Sequence, residues 1–309
     1  MKKTFIPQEF RDKFSRIMGG EAETFFGCCS MKMPKSIWVN SLKIAPGILA
    51  RKLRGKGWVL NQLPFHENAF ALEGIERPAQ CGEFEKGLFN LQEKASMLPA
   101  IILAPREKDL VLDAAAAPGN KTLQLSCIMN GHGKIVAIDK NVQRFKSLKF
   151  NAKKFGMKNV LAQRSDLLSA KRENLFDKVL LDAPCSSEGL VRKNFDALKN
   201  WSGALVERKA ALQEKMLWKA LRLLKPGGTL VYSTCSLSPE ENEMVVQRFV
   251  ESGKAEMLEV KINGFKIREG FEEYGGVKFD SGMKKAVRIY PQDNNSQAFF
   301  IAKMRKIST

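Results

Sequence analysis

The sequence predicts an α/β protein: a doubly wound, mostly parallel sheet preceded by a small α+β module. Three observations carry this. From Asp109 onward, short apolar runs alternate with longer segments of helical periodicity, as in successive strand–helix units. The first run ends in Asp113 and enters a loop of alanines and one glycine, where doubly wound folds hold a ligand. Before Asp109 the pattern is irregular, with short alternating runs broken by Gly and Pro.

Phe10, Phe14 and Ile17 fall at helical spacing and predict one amphipathic helix within Pro7 to Phe26. Ser36 to Lys43 alternates like a strand, Pro46 to Gly55 reads as a helix ending at a glycine, and Trp58 to Asn61 is a further strand. These make up the small module, assigned to residues 1–90, with 91–309 forming the larger domain. In that domain Asp109–Asp113 is a strand, Gly119 opens a helix that ends near Gly131, and Lys134–Asp139 is a strand. Val142–Phe155 is a helix, Val160–Gln163 and Lys178–Asp182 are strands, and Leu205–Leu224 is a long helix stopped by Lys225-Pro-Gly-Gly228. Thr229–Thr234 is a strand, and Ala298–Lys303 the last one. Between them, Ser238 with Glu241 reads as a capping box, with Pro239 at the first helical position.

The 309 residues carry a net charge of +18. From Thr24 to His66 there is no acid, while Lys32, Lys35, Lys43, Arg51, Lys52, Arg54 and Lys56 all fall there. A second basic run follows Asp139: Lys140, Arg144, Lys146, Lys149, Lys153, Lys154 and Lys158. Such a balance predicts a polyanionic partner, and reversal of Lys52 and Arg54 is expected to weaken its binding. A soluble basic surface is the bland alternative. No stretch approaches the roughly 20 apolar residues of a membrane span, and none pairs a basic with an apolar aromatic face, so no membrane partner is expected. The basic start lacks the apolar core of a secretory signal. Six cysteines without such a signal predict reduced thiols and a cytoplasmic location. There is no Cys-x-x-Cys pair, and the only histidines are His66 and His132, so no metal site and no His-based triad is expected.

In Ala114-Ala-Ala-Ala-Pro-Gly-Asn-Lys-Thr122, small side chains let a ligand approach the backbone. A dinucleotide loop has three spaced glycines, and a P-loop places Lys directly after Gly; here Asn120 intervenes. Asp139 closes the next strand, about 20 residues on, where an acid can accept from both ribose hydroxyls. A nucleoside without phosphates fits best, which predicts S-adenosylmethionine. Two further strands end at cysteines: Asp182-Ala-Pro-Cys185 and Ser233-Thr-Cys235. Two thiols at two strand ends, one near an acid, predict a thiol nucleophile. Two small core residues are the competing reading.

These motifs resemble the Sun/Fmu (Nop2/Sun) family of RNA cytosine-5 methyltransferases, most of all its short archaeal tRNA-modifying members. The resemblance rests on Gln92 to Pro99, Asp113 to Thr122, Asp139, Asp166, Asp182 to Ser186, Gln213, Lys225 to Gly228, Tyr232 to Ser236, Glu240 to Asn242, Arg288 to Pro291 and Phe299 to Ala302. It implies a Rossmann-like methyltransferase sheet with an RNA-binding N-terminal module. It implies that Ala115, Ala116, Ala117, Pro118, Gly119, Asn120, Lys121, Asp139, Arg144, Asp166 and Asp182 hold S-adenosylmethionine. Cys235 would be the nucleophile, Cys185 the thiol that assists product release, and Asp182 the group that stabilises charge at N3 of the ring. The partner would be RNA, tRNA by likeness or rRNA, and the protein a monomer. Trp38 stands where the family has an arginine, and is expected to stack on a base or leave one RNA contact unmade. Ala115 replaces a cysteine, and Gln292 and Ala298 a usual His and Gly. Phe10, Phe25, Phe26 and Phe89 read as core. For Trp201, stacking on RNA and packing against the long helix both stand. A silent RNA-binding factor on the same fold, and a DNA enzyme using the Pro-Cys thiol, are the competing classes.

Overall fold

The computed structural model describes residues 6–193 and 195–307. Helices α1 (Gln8–Met18) and α2 (Ala22–Ser30) open the chain. Periodicity alone predicts one helix here. The structure breaks it at Gly19, whose φ of 54° is one that glycine adopts without steric cost. The break folds Phe10 and Phe14 onto Phe25 and Phe26, in a cluster with Val191, Trp201, Leu237 and Tyr290. Trp201 is therefore packed, edge-on to Phe10, and does not offer a face to RNA.

Strand β1 (Lys35–Val39), helix α3 (Pro46–Arg54), strands β2 (Val59–Gln62) and β3 (Ala69–Glu73), helix α4 (Gly82–Glu85) and strand β4 (Phe89–Leu91) follow. The strands pair antiparallel in the order β2-β3-β1-β4. Ile37 and Val39 of β1 pack with Leu49 and Leu53 of α3, while Trp38 points to the opposite face, as strand alternation requires. There it meets Leu123, Cys127 and Phe155 of the larger domain and is 0% exposed. Trp38 is thus a docking residue between sheet and domain, and the expectation that it stacks on a base is corrected.

The larger domain runs α5 (Lys94–Leu103), β5 (Leu110–Asp113), α6 (Asn120–Ile128), β6 (Lys134–Asp139), α7 (Val142–Phe155), β7 (Val160–Arg164), β8 (Phe176–Asp182), α8 (Gly203–Leu223) and β9 (Leu224–Thr234). Then come α9 (Glu243–Glu251), β10 (Ala255–Met257), β11 (Arg268–Glu269), a ribbon of β12 (Glu273–Tyr274) and β13 (Val277–Lys278), β14 (Val287–Ile289) and β15 (Phe299–Lys306). The sheet order is β7-β6-β5-β8-β9-β15-β14-β11, with β10 beside β15. Strands β5 to β9 are parallel; β15 runs antiparallel to β9. Helices cover both faces of the inner strands, whose central residues are apolar, while the edge strand β7 is largely exposed. Val111, Leu180 and Val231 face α5 and α6, whereas Leu112, Leu181 and Tyr232 face α8 and α9.

A further local expectation fails. Pro239–Glu241 is a 3₁₀ turn, α9 begins only at Glu243, and Ser238 makes no side-chain cap. The Ser238 hydroxyl and the Glu241 carboxylate are bonded elsewhere, as the site shows.

Candidate active site

β8 and β9 are neighbours, so Cys185 and Cys235, just past their ends, come together: the two sulfurs are 3.0 Å apart. A cleft of about 740 Å³ opens beside them, lined by Cys235, Asp182, Asn120, Lys121, Glu93, Gln297 and Phe299 from the larger domain. Lys32 to Ser36 and Glu76 to Gln80 of the N-terminal module form its other wall. Cys235 lines this cleft and Cys185 stands behind it. The Cys185 thiol is pushed well above its ordinary range, first by its hydrogen bond with Cys235 and then by burial. It is held as a proton-bearing thiol.

Asp182 accepts from Lys121 Nζ at 2.7 Å and from Ser233 Oγ at 2.8 Å, so both its oxygens are fixed. Lys121 also lies over the Phe299 ring. The alanine loop is tethered from outside: Arg144 Nη2 donates to Ala117 O at 2.6 Å and Asn151 Nδ2 to Pro118 O at 2.9 Å. Gly119 stands at φ 104°, and a Cβ there would come within 3.0 Å of Leu148, so the loop closes tightly on α7. No side chain caps the N-terminus of α6, which leaves its first amides toward the loop. Ala115 is half-buried, and Ala116 and Ala117 are buried against Leu148. Beneath the loop, Asp113 accepts from Thr122 Oγ1 at 2.7 Å, and burial raises its carboxyl to about 7.

Asp139 and Asp166 lie beyond the cleft lining, at the ends of β6 and β7, with Arg144 in the first turn of α7. Asp139 is buried. Its Oδ1 accepts from Asn141 N at 2.9 Å, while its Oδ2 has no hydrogen bond and faces Arg144 Nη2 at 3.4 Å. Asp166 Oδ1 accepts from Leu168 N, and Lys140 stands 3.7 Å from Oδ2. An orphaned buried carboxylate oxygen beside a loop of small residues and an uncapped helix start fits a nucleoside with an amino-acid tail. We predict that Asp139→Ala weakens S-adenosylmethionine binding by about 1.5–3 kcal/mol, the size of a charge-assisted hydrogen bond. Calorimetry reads it, and an unchanged affinity removes Asp139 from the site.

Two glutamates that sequence reasoning left without a part in the site are buried beside the thiols. Glu188 accepts from Ser236, Leu237 and Ser238, and Glu241 from Ser186 and Gln213. Nothing around Glu188 in the sequence signals this; Glu241 was visible as a capping residue and within a matching segment, with no role assigned to it. Burial raises the Glu241 carboxyl to about 7. Glu93, at the start of α5, is raised to about 7 by burial and accepts from Ala95 N and Gln297 N.

The basic residues divide. Lys52 and Lys56 pair with Glu83, whose carboxyl they hold near 2, chiefly through the Lys56 bond. Arg54 donates to Leu60 O, Lys43 to Lys86 O and Lys154 O, and Lys35 to Ile75 O. Reversing Lys52 and Arg54 would break the module's own bonds. Lys32, Arg77 and Lys193 line the cleft instead.

Among the described residues no helix is long and apolar enough to cross a membrane. Two family models match the chain: 16S rRNA methyltransferase RsmB/F over residues 100–305, and the N-terminal domain of 16S rRNA methyltransferase RsmF over residues 6–94. Ribosomal RNA small subunit methyltransferase F of Vibrio campbellii is 36% identical over 98% of this chain, which spans 64% of the Vibrio protein's length. The tRNA (cytosine(49)-C(5))-methyltransferase of Pyrococcus abyssi is 36% identical over 97% of this chain and 96% of its own. In three dimensions, NSun6 from Pyrococcus horikoshii, solved with SFG, superposes with a TM-score of 0.86 at 26% identity, covering 98% of this chain and 99% of that one. A methyltransferase homolog from the same organism gives 0.84 at 35% identity, with 96% and 94% covered. With two thirds of its length matched by the RsmB/F model, and a 36% identical relative aligned over 97% of it, the chain belongs to the RsmB/F (Sun/Fmu) methyltransferase family.

Proposed function

We propose that this protein methylates carbon 5 of cytosine in RNA through a covalent adduct with Cys235. One observation carries the reading: Cys235 opens on a cleft walled by Asp182 and Lys121, with the Cys185 sulfur 3.0 Å behind it. S-adenosylmethionine, the cofactor of this family, supplies the methyl group. Ala115 to Lys121, Asp139, Arg144, Asp166 and Asp182 are the residues that would hold it. The backbone of the alanine loop and the Asp139 carboxylate bind the nucleoside, and Arg144 keeps loop and carboxylate in register.

Carbon 5 of cytosine is a poor nucleophile. Cys235 adds its sulfur to carbon 6, which turns carbon 5 into an enamine-like centre. Negative charge moves to N3 and O2. The Lys121–Asp182 pair stabilises it, with Asp182 passing the proton lost by Cys235 to N3. After methylation, water in the cleft takes the carbon 5 proton, the C6–S bond breaks, and the N3 proton returns through Asp182 to the thiols. Cys185 is placed to protonate the departing Cys235 sulfur. The cytosine must leave its stack to enter the cleft.

We propose residues 1–90 as the RNA-binding module and 91–309 as the methyltransferase domain, with RNA crossing the rim at Lys32, Arg77 and Lys193. The affinity for RNA is then expected to fall steeply with salt, because each neutralised phosphate releases counterions. Lys32→Glu with Arg77→Glu is expected to weaken RNA binding and flatten the slope of log K against log salt by about 2, with cofactor affinity unchanged. Wild-type RNA affinity in the double variant would move the substrate off this rim.

We propose tRNA as the substrate, supported by the Pyrococcus abyssi relative matched along nearly its whole length. Small-subunit rRNA is the second reading, favoured by the match of residues 6–94 to the RsmF N-terminal domain. Purified protein offered total tRNA and 16S rRNA in parallel, with bisulfite sequencing of both, tests the pair. New protected cytosines in tRNA alone support the first; protection confined to rRNA replaces it with the second.

A further inference from the structure

The loops that carry the two thiols are fastened to each other by carboxylates that the methylation steps do not use. Glu188, three residues past Cys185, is 1% exposed. It accepts from the amides of Leu237 at 2.8 Å and Ser238 at 2.9 Å, and from the hydroxyls of Ser236 at 2.8 Å and Ser238 at 2.5 Å. All of these donors belong to the loop after Cys235. A fifth, Trp201 Nε1 at 2.9 Å, ties in the cluster beneath α1. The next amide, Gly189 N, donates to Cys235 O itself at 2.6 Å. The reverse bond exists too. Glu241, six residues past Cys235, accepts from Ser186 N at 3.0 Å and Gln213 Nε2 at 2.7 Å; Gln213 also donates to Pro184 O at 3.1 Å.

Each thiol loop is therefore gripped by a carboxylate from the other. The donors that face Glu188 and Glu241 among the described residues are neutral, and they offset part of the cost of burying the two carboxylates. The loops approach so closely that a Cβ at Gly189 would come within 2.5 Å of Ala298 O and 2.7 Å of Cys235 O. Ser187, between Cys185 and Glu188, is held at φ 66°, a conformation that persists in a non-glycine residue only where its surroundings impose it. The Ser238 and Glu241 pair that reads in sequence as a capping box is spent on this cross-linking.

We propose that Glu188 and Glu241 are positioning residues that form a reciprocal clamp and set the spacing of the two thiols. Strand pairing brings the ends of β8 and β9 together but does not fix the loops beyond them. Proton transfer between the sulfurs requires contact distance, so a small slip of one loop separates the two roles. The inference rests on the reading that both thiols serve the reaction.

The test uses the purified full chain and the thiol oxidant diamide, with disulfides mapped by mass spectrometry. Sulfurs 3.0 Å apart should give the Cys185–Cys235 disulfide readily. Glu188→Gln turns an amide NH2 toward a ring of donors, and Glu241→Ala removes the acceptor for Ser186. Each is expected to slow formation of that disulfide and to lower kcat, both by about tenfold or more, while KM for RNA and cofactor affinity stay at wild-type values. A merely structural loss would instead lower cofactor affinity and melting temperature together. Should either variant fail to fold, Ser238→Ala removes one donor to Glu188 and is expected to move both rates the same way by less. Wild-type disulfide formation in folded variants overturns the clamp; loss of the disulfide with unchanged kcat keeps the clamp and overturns the reading that both thiols serve the reaction. The cross-link needs only the two sulfurs, so it scores the clamp even if Cys235→Ser retained turnover and the reaction itself were misread.

Discussion

Replacing Cys235 by alanine is expected to abolish methyl transfer, by about 10⁴-fold or more, and to leave S-adenosylmethionine affinity unchanged. The separation follows from the architecture. Cys235 lies past β9, whereas the alanine loop and Asp139 lie past β5 and β6, on the other side of β8 in the sheet order. The Cys235 side chain lines the cleft, and no hydrogen bond links it to the loop that would hold the cofactor. Turnover measured with labelled methyl donor, beside calorimetry of the cofactor, reads both halves. Retained turnover sinks the assignment of the nucleophile; lost cofactor binding shows that the site is not divided as described.

Cys185→Ala is expected to fail at the opposite end of the cycle. The Cys185 thiol is held protonated 3.0 Å from the Cys235 sulfur, where it can protonate the leaving group. Without it, turnover should drop by about 10²–10⁴-fold, as for loss of a general acid, while attack on carbon 6 still occurs. The protein should then accumulate joined to RNA. A denaturing gel with labelled RNA shows that band directly. If Cys235→Ala gives the adduct and Cys185→Ala does not, the roles are exchanged, and the chemistry is that of the Pro-Cys nucleophile.

The inner parallel strands were legible because burial on both faces makes them short apolar runs: β6 falls where the sequence places it, and so does the helix α7 that follows. Strands β3, β4 and β14 were not, since three to five residues are too few to show a period. The thiols and the loop were legible as motifs at strand ends. The partners that set their chemistry were not. Lys121 meets Asp182, and Glu188 meets Ser238, across gaps that local pattern cannot span. The same limit misplaced Trp38, whose burial depends on a domain docking behind it, and hid the ion pairs that the exposed Lys52 and Lys56 make with Glu83. In each case a side chain read by its neighbours in sequence was claimed by one distant in sequence and close in space.

The central claim is that Cys235 bonds to a cytosine whose carbon 5 then receives the methyl group. RNA carrying 5-fluorocytosine at the target tests it most directly. Fluorine occupies the position of the proton that must leave, so the methylated intermediate cannot release the enzyme. Digestion and mass spectrometry should find the peptide containing Cys235 bearing one fluorinated nucleotide and one added methyl group. An adduct on Cys185 in place of Cys235, or methylated fluorocytosine RNA released with no protein attached, would contradict the account.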